Sequence, residues 1–251
     1  MEVHQHSHTE RKKWTHYFWE FFMLFLAVTL GFFVENMREH LADRKKEKIY
    51  TSSLIANLKN DTKTIRQVTK VDFRLLHGED SLVDLLSNFK DNDSISRKCY
   101  RYYFLYATSY IEMTFNERTM SQLLNTGNMR LIHRQSISDS IMDYNVLVKY
   151  VQAQGKAYEE YFKRTLDFSN NIFDFTYTRN YMHEDYSITP RLHAANITFI
   201  LLTKEPATIK KYTIQLTMLQ GILEQNLLIL RSAKEKATRL IALLQKEYNM
   251  K

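Results

Sequence analysis

The chain has 251 residues, 44% of them hydrophobic and 25% charged, with a formal net charge of +7. Five glycines and two prolines are too few for the turns of a β-rich fold, so the chain reads as nearly all helix. A single cysteine, Cys99, excludes an intrachain disulfide and a cysteine-based metal cluster. The basic residues are interleaved with acids rather than clustered, which argues against nucleic acid as a partner.

Residues 1–13 form a flexible polar tail in which His4, His6 and His8 alternate. Spaced imidazoles are ligands for zinc, copper or nickel, but a disordered tail is the simpler reading, and no metal or cofactor site is assigned. Residues 14–36 read as a transmembrane helix. Phe21 to Val34 (FFMLFLAVTLGFFV) carries no charge and no proline and lies between Glu20 and Glu35. Crossing a hydrocarbon core of about 30 Å takes about 20 residues, so the span must begin near Trp14. Trp14, Tyr17 and Trp19 then form an aromatic belt, with His16 and Glu20 at headgroup level. Glu20 is otherwise an intramembrane carboxylate, which would hint at function.

Three other readings compete. Arg11, Lys12 and Lys13 supply the basic region of a signal peptide, but Val34 to Arg38 offers no small-x-small cleavage site. A buried core helix or a helix lying in the membrane plane needs a polar face, and Thr29 is the run's one polar side chain. An uncleaved single-pass anchor in a lipid bilayer is the expectation. Arg38, Arg44, Lys45, Lys46 and Lys48 follow the span and favour a cytoplasmic C-terminal side, yet long domains translocate largely regardless of charge.

Residues 37–251 are expected to form one helical bundle domain. The segment 38–48 is almost wholly charged and reads as a solvated stalk. Apolar positions then step by three and four through Leu54, Leu58, Ile65, Val68, Leu76, Val83 and Leu86, with Gly78 as a kink or break. Lys90 to Ser96 is a polar turn. Cys99 lies between Lys98 and Tyr100 and is read as a small buried residue rather than a reactive thiol. In the aromatic stretch Tyr100 to Phe115, tyrosines beside Arg97, Lys98 and Arg101 suit base stacking. The preferred alternative is a core stripe of Tyr100, Phe104, Ala107 and Ile111. Asn116 is expected to cap a short helix that stops at Gly127 in the left-handed region. Ser136 and Asp139 have capping-box spacing. A sustained stripe follows: Ile137, Ile141, Tyr144, Val148, Val151, Gly155, Tyr158, Phe162 and Thr165. Gly155 on that stripe predicts close approach of a neighbouring helix. Residues 170–204, with Pro190, are irregular. Pro206 opens a last helix with the stripe Ile209, Tyr212, Leu216, Leu219, Leu223, Asn226, Leu230, Ala233, Ala237, Leu240 and Leu244. Asn226 is its one buried polar position, a device for fixing register or oligomeric state. The fold class is all-α: an N-terminal transmembrane helix continuing into an elongated antiparallel bundle.

Several motifs resemble an uncharacterised family of small single-pass membrane proteins from Bacteroidetes-type bacteria. The residues concerned are the span exit Val34-Glu35-Asn36-Met37-Arg38-Glu39, then Leu58-Lys59-Asn60-Asp61, then Thr114-Phe115-Asn116 through Leu123-Leu124-Asn125-Thr126-Gly127-Asn128-Met129-Arg130-Leu131-Ile132, then Ser136 to Tyr144-Asn145. The likeness covers roughly residues 15–150; the histidine-rich tail and phenylalanine-rich span depart from it. It implies a bacterial inner-membrane protein and supplies no catalytic residues.

No phosphate-binding glycine loop, Gly-x-Ser-x-Gly elbow or His-Glu-x-x-His motif occurs. Carboxylates fall beside lysines on helix faces, where solvated pairs are the default. No catalytic, cofactor-binding or metal-ligating residue is assigned, and no enzyme is expected. Asp80-Ser81-Leu82, Asp93-Ser94-Ile95 and Asp139-Ser140-Ile141 resemble acceptors for periplasmic O-glycosylation, although Asp-Ser pairs also start helices. The bundle is expected on the periplasmic side. The leading functional expectation is a membrane-anchored interaction or scaffold protein, meeting itself or a protein partner through helix 206–246 and the segment 100–115. The alternative is a ligand-sensing bundle, which a polar-lined pocket between helices would favour.

Overall fold

The structure is a computed structural model that describes residues 14–176 and 198–250. The tail with His4, His6 and His8, and Pro190 in the irregular segment, lie outside the described residues. The described residues form α-helices α1 (Trp14–Ser87), α2 (Asp93–Tyr102), α3 (Arg118–Asn125), α4 (Gln135–Ser169) and α5 (Pro206–Glu247), with no strand. The chain divides into two compact units, Met1–Tyr50 and Thr51–Lys251, and α1 contributes to both.

In the first unit α1 is the one candidate membrane-spanning helix among the described residues, and none of its most apolar stretch is buried. A core helix of the same composition would be covered by its own chain. Thr29, the polar exception, donates its hydroxyl to the Phe25 carbonyl (2.7 Å), so no side-chain polar group of the run lacks a partner. His16 Nε2 lies 3.3 Å from Glu20 Oε1, one turn on.

In the second unit, residues 51–87 of α1 present a buried seam with strict three-four spacing: Leu54, Leu58, Asp61, Ile65, Val68, Asp72, Leu75, Glu79, Leu82 and Leu86. The buried stripes of α4 and α5 fall where periodicity puts them, except that Leu227 takes the place expected for Asn226, which is half-buried. Lys236 of α5 pairs with Asp143 of α4 (3.0 Å) and Arg134 with Glu247, so α4 and α5 are antiparallel. Gln220 of α5 donates to Asp80 of α1 (2.9 Å), while Tyr144 of α4 donates to Asp61 (3.1 Å). Residue numbers rise together along α1 and α4 and oppositely along α5. Within the bundle α5 is therefore antiparallel to two helices that are parallel to each other.

Residues 88–134 connect the two parallel helices and supply much of the core. Asn92 caps α2 by accepting from the Ile95 amide (2.8 Å). A π-helical turn, Tyr103–Ala107, follows and turns Tyr103 inward as well as Tyr100, Phe104 and Ala107. Tyr103 stacks on Phe173 with centroids 3.9 Å apart. Tyr100 donates to the Ile200 carbonyl (2.9 Å) and accepts from the Asp174 amide (2.8 Å). The tyrosines are thus core residues. Ile111 leaves the expected stripe because the helix has ended by Thr108. Gly127 adopts φ 69° as the stop after α3.

Local capping differs from expectation in two places. Asn116 does not cap α3; its backbone amide donates to Asp61 (2.8 Å), and Glu117 occupies the cap position. Helix α4 begins one residue early at Gln135, so Ser136 is already inside it, and Asp139 accepts from Gln135 Nε2 (2.7 Å) instead of a capping box forming.

Neither Gly78 nor Gly155 plays the role expected of it. Gly78 does not break α1; a Cβ there would stand 2.0 Å from Tyr106 Cγ. A Cβ at Gly155 would meet nothing within 4 Å. Close approach therefore occurs at Gly78, and open space lies at Gly155. Gly78→Ala should destabilise the chain by about 1–3 kcal/mol through overpacking. Gly155→Ala should stabilise it by up to about 1 kcal/mol through helix propensity. Urea unfolding of both variants checks the opposite signs.

Candidate functional site

The seam of α1 holds three acids where its neighbours are apolar, and desolvation raises the pKa of each. Asp61 is answered. Its Oδ1 accepts from the Asn116 amide and its Oδ2 from Tyr144, and those bonds draw its pKa back down against burial. Ser53 and Asn57 meet Thr119 nearby (2.9 and 2.8 Å), and Lys149 reaches Glu117 (2.7 Å). Asp61, Asn116 and Tyr144, which belong to three separate stretches of the motif set above, converge on one structural lock.

Asp72 and Glu79 are not answered. Asp72 is 3% exposed and Glu79 fully buried, and neither Glu79 oxygen has a hydrogen-bond partner. Burial pushes Asp72 from 3.8 up to about 7. Burial, then the charges of Asp80 and Asp72, push Glu79 from 4.5 up to about 8. The Tyr158 hydroxyl is buried without a partner too, and burial followed by the charges of Glu79 and Asp72 raises its pKa. Tyr212 feels burial, Tyr103 and Glu79 in the same direction.

Beside this group lies a cavity of about 40 Å³ between α1, α4, α5 and the segment after the π-helical turn. Asp72, Tyr158 and Asn226 bring polar atoms to its wall, Gly155 leaves it open, and Ile111 and Glu112 stand at its exposed side. Asn226 Oδ1 is buried and unpartnered. The volume admits about three water-sized groups. No lysine, arginine or histidine lines the wall. What the cavity can do chemically is receive hydrogen-bond donors or positive charge.

Read by its apolar residues alone, the sequence leaves the acids of this site solvated. A strict three-four count from Leu54 lands on Asp61, Asp72 and Glu79, and that was the available signal. Asn226 lies beside the buried seam of α5, half-buried, and lines the cavity. Cys99 is buried, and burial pushes its thiol up to about 12, so it is inert. Of the Asp-Ser pairs, Asp93 and Ser94 begin α2; Ser81 and Ser140 donate to carbonyls one turn back, His77 and Ser136. Among the described residues no group of three His, Cys, Asp or Glu side chains could hold a metal ion. Comparisons with family models, curated proteins and solved structures find no match for the chain.

Asp72 and Glu79 keep their protons in the folded chain at pH values where the unfolded chain has released them. Their contribution to stability is complete below about pH 4 and is lost as pH rises towards about 8. Melting temperature should therefore be higher at about pH 5 than at about pH 8, with a combined effect on the order of a few kcal/mol. The Asp72→Asn/Glu79→Gln double variant should flatten that slope in differential scanning calorimetry; an unchanged slope would assign the dependence elsewhere.

Proposed function

We propose that the chain is a single-pass protein of the bacterial inner membrane, and that its periplasmic helical bundle binds a small ligand without catalysing a reaction. The observation that carries the ligand reading is the cavity, with the buried Asp72 carboxyl on its wall beside the unpartnered Tyr158 hydroxyl and Asn226 Oδ1. Natural cores satisfy nearly all buried polar groups, so several orphans on one cavity wall point to a guest that supplies their partners. The unburied apolar stretch of α1 supports the anchor, because lipid is the solvent that suits it.

The scaffold reading has lost part of its support. The stripe of α5 and the aromatic positions Tyr100, Tyr103 and Phe104 are buried in their own chain, while Tyr110 and Ile111 are exposed. What favours an interaction role is a smaller feature, the exposed Ile214, Met218 and Leu228 on α5.

Two measurements test the proposal. Full-length chain in cell membranes should stay in the pellet after alkaline carbonate washing; release into the supernatant would remove the anchor. A thermal-shift panel of small amines, amino acids, carboxylates and sugars on the detergent-solubilised chain should contain compounds that raise the melting temperature of wild type but not of Gly155→Val, whose side chain enters the cavity. If no compound does so, the ligand reading fails.

A further inference from the structure

The ligand class follows from the donors and acceptors around the cavity, and the inference rests on the ligand-binding reading above. Asp72 and Tyr158 are more than nine-tenths buried and line the cavity. The Tyr158 hydroxyl and Asn226 Oδ1 are buried without partners. Gln152, also in the wall, turns its amide NH₂ away to Glu117. The wall therefore carries acids and neutral polar groups and no cationic donor. Glu79 adds a second acid within electrostatic reach of Asp72 and Tyr158.

We propose that the cavity receives the protonated head of a small aliphatic primary amine, with the Asp72 carboxylate as its counter-charge. An alkylammonium carries three N–H donors and no acceptor. That inventory matches Asp72, the Tyr158 oxygen and Asn226 Oδ1, three of the acceptors of the wall. The head fits a space of about three water-sized groups. Tyr110 and Tyr158, with ring centroids 6.1 Å apart, flank the cavity and favour a cation over a neutral guest. The alkyl chain leaves on the side of Ile111 and Glu112, where an exposed carboxylate suits a second positive charge further along the ligand.

Other classes fit less well. A carboxylate or phosphate ligand would face Asp72 and Glu79 with no cation in the wall. A hydroxyl offers a single donor, and the planar fork of a guanidinium is bulkier than a space of about three water-sized groups. A multivalent metal lacks the required cluster of ligands among the described residues.

Isothermal titration of the full-length chain in non-ionic detergent tests the assignment, at about pH 8, where an alkylamine is protonated as lysine is. The titrants are propylamine hydrochloride, potassium chloride and sodium propionate. Propylamine should give saturable heat, and the two salts should not. Asp72→Asn, a neutral isostere that relieves a buried charge, should weaken propylamine binding about tenfold or more. Gly155→Val should abolish it while melting cooperatively. Absent propylamine binding, equal binding of potassium, or unchanged affinity in Asp72→Asn would each overturn the amine assignment. Saturable binding of propionate instead would overturn it while leaving the ligand reading intact. Silence of propylamine together with a blank thermal-shift panel would remove both. Where Gly155→Val fails to fold, the Asp72→Asn comparison decides the matter alone.

Discussion

Desolvation of carboxylates on the inner seam of α1 is the constraint around which the bundle is organised. Ten successive seam positions from Leu54 to Leu86 are buried, and Asp61, Asp72 and Glu79 are among them. Taking a carboxylate out of water costs several kcal/mol unless hydrogen bonds or an opposite charge replace the lost hydration. Each acid must be met by a partner or a proton. The two outcomes on one helix separate a structural carboxylate from a functional candidate.

Asp61 is the structural case. Its two partners come from far along the chain, a backbone amide at Asn116 and a phenol at Tyr144, and both are fixed by the bonds they make. The acid thereby sets where the connection between α2 and α3 enters the bundle and how α4 registers on α1. Around Asp72 and Glu79 no such groups arrive. The groups within electrostatic reach of them are Asp80, Tyr158 and Tyr212, which add negative charge or weakly acidic hydroxyls, and the protons stay on until pH nears about 7 at Asp72 and about 8 at Glu79. The nearest open volume lies on the Asp72 side, where Gly155 withholds a side chain.

Most of the fold was legible because it rests on apolar periodicity. The stripes Ile137–Thr165 and Ile209–Leu244, the proline at the start of α5 and the left-handed Gly127 all follow from spacing and backbone sterics. The site was not legible, for a physical reason. Reading a seam by its apolar residues skips the acids, and the α1 stripe then slips to Leu76 and Val83, one position beyond Leu75 and Leu82. Periodicity also misses a π-helical turn, which brought Tyr103 into the core and ended the stripe before Ile111. A glycine on a stripe carries no sign of whether its neighbour fills the gap. At Gly78 the Tyr106 ring does, and at Gly155 nothing does.

A seam of leucine alone would hold the helices together more firmly, since buried ionisable groups replaced by well-packed apolar ones are often neutral or stabilising. Departures from local consistency concentrate where a protein works rather than where it merely folds. By that measure Asp61 is explained by the lock it makes, and the explanation does not extend to Asp72 and Glu79. On the cavity wall the Asp72 carboxyl, the Tyr158 oxygen and Asn226 Oδ1 can each accept from a donor. A proton answers the carboxylate alone. A guest with several N–H groups answers the carboxylate, the phenol and the amide together, and so accounts for the cavity beside the acid as well as for the acid.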